Sequence, residues 1–221
     1  MPKFTRMQSL SFLIIVTILL AGCQGKQNNT STTSNIKRSQ VLDTVKTLPD
    51  TLSPSPASEK LKIALTANAL QLVDAVSGST KEIAFGMPFD QLVPMVGRIL
   101  AGEPNSVGIN TECGAGPLKM ATWPNGLTLV FSEKKKGNGE WLFAGWFAGK
   151  PSGNGDKPIT MAGVGVGSTL EELESAYVTT VTKTTLGQEF AVKSGFYGIL
   201  SGTGKKAKID VMWSGTSCNF R

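Results

Sequence analysis

Two stretches of the chain carry one pattern at an offset of 81 positions (164 minus 83): "IAFGMPFDQLVPMV" from Ile83 and "VGVGSTLEELESAY" from Val164. Ile83 lies over Val164, Phe85 over Val166, Gly86 over Gly167, Phe89 over Leu170, Leu92 over Leu173 and Val96 over Tyr177. The apolar positions first alternate and then recur at intervals of three and four, the periods of a strand and of a helix. A chain that writes strand, glycine turn and helix twice must fold as a doubled unit. In the second copy Thr169 and Glu172 form a capping-box pattern, which starts a helix. In the first, Pro88 suits a helix entry, whereas Pro94 removes a backbone hydrogen bond and makes that helix the less regular one.

After each predicted helix the sequence reads as antiparallel strands. "LKMATW", "GLTLVF" and "EWLFAGWFAG" follow the first, and "YVTTVTKTTLG", "GFYGILSG" and "AKIDVMWSG" the second. Aromatic and β-branched residues alternating between glycine turns are the mark of half-buried strands. Ahead of both, Leu70, Leu72, Ile83 and Phe85 flank an "AVSGS" turn and predict a starting hairpin. The expected fold is therefore α+β: two strand-helix-sheet repeats, about 80–150 and 160–221, with the helices packed on one face of the sheet. Trp123, Trp141, Trp146 and Trp213 are read as packing residues rather than as a ligand cage.

The front of the chain has a different character. Lys3 and Arg6 precede an apolar run from Leu10 to Leu20. That run is shorter than the roughly 20 apolar residues a spanning helix needs, and it has the form of an export signal. From residue 24 to about 58 the chain is poor in apolar residues and rich in Ser, Thr, Asn and Pro, so it cannot bury enough surface to offset the entropy of ordering. About 35 such residues reach roughly 30 Å as a flexible tether. The expected organisation is a signal at 1–22, a tether at 23–58 and one domain at 59–221.

"LAGC", Leu20 to Cys23, follows the apolar run directly. It resembles the lipobox of bacterial lipoproteins. The resemblance implies cleavage between Gly22 and Cys23, a thioether-linked diacylglycerol on Cys23, and an amide-linked acyl chain such as palmitate on its new amino group. At about 0.8 kcal/mol for each buried methylene, such chains hold a protein to a membrane without a spanning helix. Gln24, where an aspartate would resemble the inner-membrane retention signal, implies the outer membrane, facing the periplasm.

Charge and residue types then remove whole classes of chemistry. The formal net charge is +6, from 22 basic and 16 acidic residues; loss of Lys3 and Arg6 with the signal leaves 20 minus 16, or +4. Mild basicity spread along the chain does not describe a nucleic-acid binder. The one sharp cluster, "EKKKGNGE" at Glu133 to Glu140, holds an Asn-Gly pair and reads as a solvated hairpin tip. There is no histidine, which removes Ser-His-Asp and Cys-His catalysis and most zinc sites. "GVGVGSTL" has Leu170 where a dinucleotide fingerprint needs its third glycine, and "GILSGTGKK" has Ile199 and Lys206 where a P-loop needs glycine and Ser or Thr. No catalytic residue, cofactor, metal or nucleotide is expected; carboxylate-only chemistry stays open as a third reading, because in sequence a pair such as Glu171 and Glu172 looks the same as a solvated helix face. Cys113 and Cys218, an even pair in an oxidising compartment, read as a disulfide closing a loop of about a hundred residues, with roughly 4 to 5 kcal/mol of stabilisation on the chain-entropy model.

The pieces "FGMPFDQL", "ECGAGPL", "WPNGLTLVF", "FAGW", "GVGVGSTLEEL" and "SCNFR" resemble a family of exported bacterial proteins, mostly of uncharacterised function, across most of residues 65 to 221. In that family the "ECG" cysteine and the one near the C-terminus look like partners. The doubled architecture is more loosely similar to small outer-membrane assembly lipoproteins and to inhibitors of the β-lactamase-inhibitor type, an analogy of fold. The reading that follows is a lipid-anchored envelope protein, not an enzyme, that docks on an envelope protein or cell-wall polymer. The alternative is a binder of a small molecule, or an inhibitor, using the sheet face.

Overall fold

A computed structural model describes residues 61–218. The expected signal and tether, with Gly22 and Cys23, lie outside the described residues. The domain begins with three strands, β1 (Leu61–Leu65), β2 (Ala69–Asp74) and β3 (Thr80–Ala84), followed by helix α1 (Phe89–Ile99). Four more strands run back and forth: β4 (Ser106–Asn110), β5 (Leu118–Thr122), β6 (Leu127–Glu133) and β7 (Trp141–Ala148). A two-residue strand β8 (Ile159–Thr160) and helix α2 (Leu170–Ala176) precede a second set, β9 (Thr179–Thr184), β10 (Gly187–Val192), β11 (Phe196–Leu200) and β12 (Ile209–Gly215).

The two sets join through their last strands into one eight-stranded antiparallel sheet, in the order β4-β5-β6-β7-β12-β11-β10-β9. At the seam Met212 pairs with Ala148 and Gly215 with Gly145. The remaining strands form a four-stranded sheet, β3-β2-β1-β8, in which only β1 and β8 run parallel.

Each half hooks its glycine turn onto its own last strand. Gly86 donates its N–H to the Phe143 carbonyl (2.7 Å), and Phe143 N–H returns to the Met87 carbonyl (2.8 Å). Gly167 donates to the Ile209 carbonyl (2.8 Å), and Ile209 N–H returns to the Ser168 carbonyl (2.8 Å). The next residues, Pro88 and Thr169, make isolated bridges to Leu142 and Lys208. Thr169 caps α2 in a complete capping box: its hydroxyl accepts from Glu172 N–H, and the Glu172 carboxylate accepts from Thr169 N–H.

The fold is predominantly β, which overturns the α+β expectation of helices layered on one face of the sheet. The physical reason is size. Helices of 11 and 7 residues are about 16 and 10 Å long, against a sheet of eight strands that is roughly 34 Å wide. The small sheet does most of the covering instead: Leu65, Leu70 and Ile83 share one core with Leu129, Phe131, Phe143 and Trp146 of the large sheet. The helices plug this core, α1 with Leu92 and Val96, α2 with Leu170 and Leu173. Trp146 Nε1 donates to the Thr66 carbonyl (2.7 Å), and the single Ser214 hydroxyl lies within hydrogen-bond reach of the carbonyls of both Ala67 and Gly195, tying the β1–β2 turn to β7 and β12.

Candidate functional site

The residues marked out in the sequence do not gather at one place. Glu172 is committed to the α2 cap, while Glu171 is exposed beside it. Gly165 and Gly167 belong to the turn that enters α2, and Gly167 carries a φ of +95°. Lys134, in the hairpin between β6 and β7, pairs with Glu140 at 3.0 Å. Trp123, Trp146 and Trp213 are buried, and Trp141 packs against the core.

Cys113 and Cys218 do meet. Both are free thiols, Cys113 buried and Cys218 half-buried, packed with Leu118 and Val130 on the side of the large sheet away from the main core. The hydrogen bond between the two thiols, followed by burial and then by the Cys113 and Glu112 charges, pushes the Cys218 thiol up to about 11.

A binder that uses the sheet face, the alternative reading, needs exposed aromatics on an open side of the sheet such as this one. The strand register sets Phe147, Trp213 and Tyr197 in a row across β7, β12 and β11. Tyr197 is stacked on Trp213, and is the one member of the row that is exposed, at 41% against 3% for Trp213. A single exposed ring is not an aromatic platform, so the binding candidate shifts to a concavity elsewhere.

That concavity is a half-open cleft of about 830 Å³, between β1, the end of α1, the β5–β6 turn and the loop 154–161. Its position follows from how α1 stops. The Gly102 N–H bonds back to the Gly97 carbonyl (3.0 Å), closing a helix C-terminus with Ala101 in the left-handed region at φ 52°. Glycine normally fills that place because a Cβ there is strained. Ala101 is the one non-glycine residue with positive φ among the described residues. The turn leaves the Gly102 carbonyl free to accept from Trp123 Nε1 (3.0 Å), which fixes the indole as part of the wall.

Asn125, 5% exposed, lines the cleft from the same β5–β6 turn as Trp123. Its side-chain carbonyl accepts from Leu127 N–H (3.1 Å) and its amide donates to the Asp156 carbonyl (2.9 Å), so it holds the loop in place. The indole N–H and the Asn125 amide are thus committed inside the protein, and Ile63, Val73, Ile99 and Leu100 add apolar lining. Charge is confined to Lys62, Glu103, Asp156 and Lys157, two of each sign, with Lys62 Nζ 3.7 Å from the Asp156 carboxylate. The balance suits a neutral or amphipathic occupant rather than a polyanion. Among the described residues no group of three or more His, Cys, Asp or Glu is placed to hold a metal ion.

Of these lining residues the sequence singles out Trp123 alone, and as a packing residue rather than part of a site. The usable signals were "WPNG", a turn that follows a strand, and "LAGE", where a small residue and a glycine end a helical pattern. No protein-family model, curated protein or solved structure matches the chain.

Proposed function

We propose that this chain is a lipid-anchored binding protein of the cell envelope, without catalytic activity, whose domain takes up a small, mainly apolar molecule in the cleft beside Ala101. The observation that carries the reading is the coincidence of that cleft with the one strained non-glycine residue among the described residues. Strain persists where surrounding structure enforces it, and it concentrates at functional sites. The cleft volume of about 830 Å³ lies within the roughly 300–1,000 Å³ of small-molecule sites, which are mostly apolar with a few placed polar groups. The lipobox resemblance at Leu20 to Cys23 supplies the anchor, and Gln24 supports the outer membrane, periplasmic side. In that oxidising compartment Cys113 and Cys218 close into a disulfide.

The test uses the chain expressed from residue 24, which has no acylation site, titrated with an environment-sensitive apolar dye. Saturable uptake at one site per chain is expected. Gly102 lines the cleft and a Cβ built there meets nothing within 4 Å, so Gly102→Phe adds bulk at the cleft wall. Uptake that survives in the Gly102→Phe chain removes the cleft from consideration. The anchor is tested separately by metabolic labelling with a fatty-acid analogue, which the Cys23→Ser chain should not incorporate.

A further inference from the structure

The large sheet ends at β4, which pairs with β5 on one side and with nothing among the described residues on the other. Its sequence, Ser106-Val107-Gly108-Ile109-Asn110, has no charge, no proline and no register shift. Free edges are normally blunted by such devices, because an open row of N–H and C=O groups recruits another strand. The other edges have them. Lys183 lies on β9, Lys81 and Glu82 lie on β3, and β8 is two residues long.

Val107 and Ile109 are 50% and 54% exposed, although the register sets them on the same side of the sheet as Leu129 and Phe131 of the core. Gly108, between them, is exposed and a Cβ there would meet nothing within 4 Å. Glycine in a strand often marks a place where another backbone comes close.

We propose that β4 pairs antiparallel with β4 of a second copy of this chain, about a two-fold axis at Gly108. In that register Val107 of each copy faces Ile109 of the other and Ser106 faces Asn110, so apolar meets apolar, polar meets polar, and no like charges oppose one another. The same operation on β3 about Glu82 would set two glutamates face to face. Self-complementarity under one axis is what a closed two-fold interface requires, and it is the reason to name a second copy as the occupant rather than an unrelated strand. The paired segment is short, so the dimer is weak and reversible.

The experiment is sedimentation equilibrium of the chain expressed from residue 24, across the full range of concentration at which it stays soluble. A monomer–dimer equilibrium is expected. Val107→Lys or Ile109→Glu alone buries a charge against an apolar side chain in the pair and shifts the dissociation constant upward at least tenfold. The double variant sets the introduced lysine against the introduced glutamate of the other copy and restores the dimer. Val178→Lys, at a residue 73% exposed next to β9, leaves the equilibrium unchanged. A parent that stays monomeric throughout overturns the proposal, including one that binds an extended peptide from another protein. So does a dimer indifferent to both single variants, or a double variant that fails to recover. Circular dichroism of each variant confirms that a lost dimer is not a lost fold.

Discussion

Gly86 and Gly167 occupy the same place in the two halves of the domain. Their φ angles are +100° and +95°, and each stands three residues before the first residue of its helix, Phe89 or Leu170. Both donate their N–H to the last strand of their own half, at Phe143 and Ile209. The sharp turn is what lets a short strand feed a helix and still bond to the sheet.

At both glycines an added Cβ would meet nothing within 4 Å, so a substitution is resisted by the backbone alone. Gly86→Ala and Gly167→Ala should each cost about 1 to 3 kcal/mol, measured by urea unfolding. Gly198→Ala, where the Cβ would meet the Val211 carbonyl and the Phe190 ring within 2.5 Å, should cost more than either. Equal losses at all three would mean that backbone conformation is not what singles out the first two.

The helix plugs give a second matched pair. Leu92 and Leu173 are both 0% exposed and belong to one core. Leu92→Ala and Leu173→Ala should each lower stability by about 2 to 5 kcal/mol. Glu171, exposed and outside the capping box, should be replaceable by alanine with a change within about 0.5 kcal/mol. A large loss at Glu171 with little change at Leu173 would mean the helix faces the other way.

What could be seen in the sequence depended on whether burial had left a periodic trace. "GLTLVF" and "EWLFAGWFAG" became β6 and β7, the capping box at Thr169 opened α2, and the "AVSGS" turn joined β2 to β3. β4 gave no trace because its apolar residues are exposed, and β10 little because Phe190 and Val192 alone are buried in it. Missing β1 did the most damage. Without it β2 and β3 read as a starting hairpin and not as part of a second sheet, which leaves the helices a covering role they are too short to fill. The cleft was invisible for another reason. Ile63, Ala101, Trp123 and Asn125 come from three separate parts of the chain, and ordinary residue types reveal a site only when the fold has brought them together.

For the reduced protein, the Cys113–Cys218 contact sets a pH dependence. The Cys218 thiol is raised from 9.0 to about 11, first by its hydrogen bond to Cys113. An acid with a folded pKa above its unfolded value stays neutral in the native state while the unfolded chain ionises. Its contribution to stability is therefore intact below pH 9 and is lost as pH rises through about 11. Alkylation of Cys218 by iodoacetamide should accelerate toward pH 11, since the thiolate is the reacting form. Cys113→Ala removes the main cause and should move that acceleration to lower pH. An unchanged profile in the Cys113→Ala chain would leave burial as the dominant cause. In the oxidised protein, Cys113→Ala and Cys218→Ala should be equally destabilising, with the double variant costing little more, because all three lack the same bond.

The cleft wall offers the last prediction. Ala101 holds φ at 52° behind α1, a conformation that costs an alanine roughly 1 to 2 kcal/mol relative to glycine. Ala101→Gly relieves that strain but gives the unfolded chain more freedom, which takes back about 0.4 to 1 kcal/mol. The net change should be a stabilisation between zero and about 1.6 kcal/mol, the difference of those two magnitudes. Trp123→Phe removes the hydrogen bond from Nε1 to the Gly102 carbonyl, worth about 0.5 to 1.5 kcal/mol. If that bond helps hold the strained turn, the two effects are coupled: once Trp123 is phenylalanine the turn can relax, and Ala101→Gly should gain less than it does in the parent. A double-mutant cycle by urea unfolding reads this directly. Additive effects would show that the indole merely rests on the turn, while a loss of stability in Ala101→Gly alone would show that the left-handed alanine is not strained.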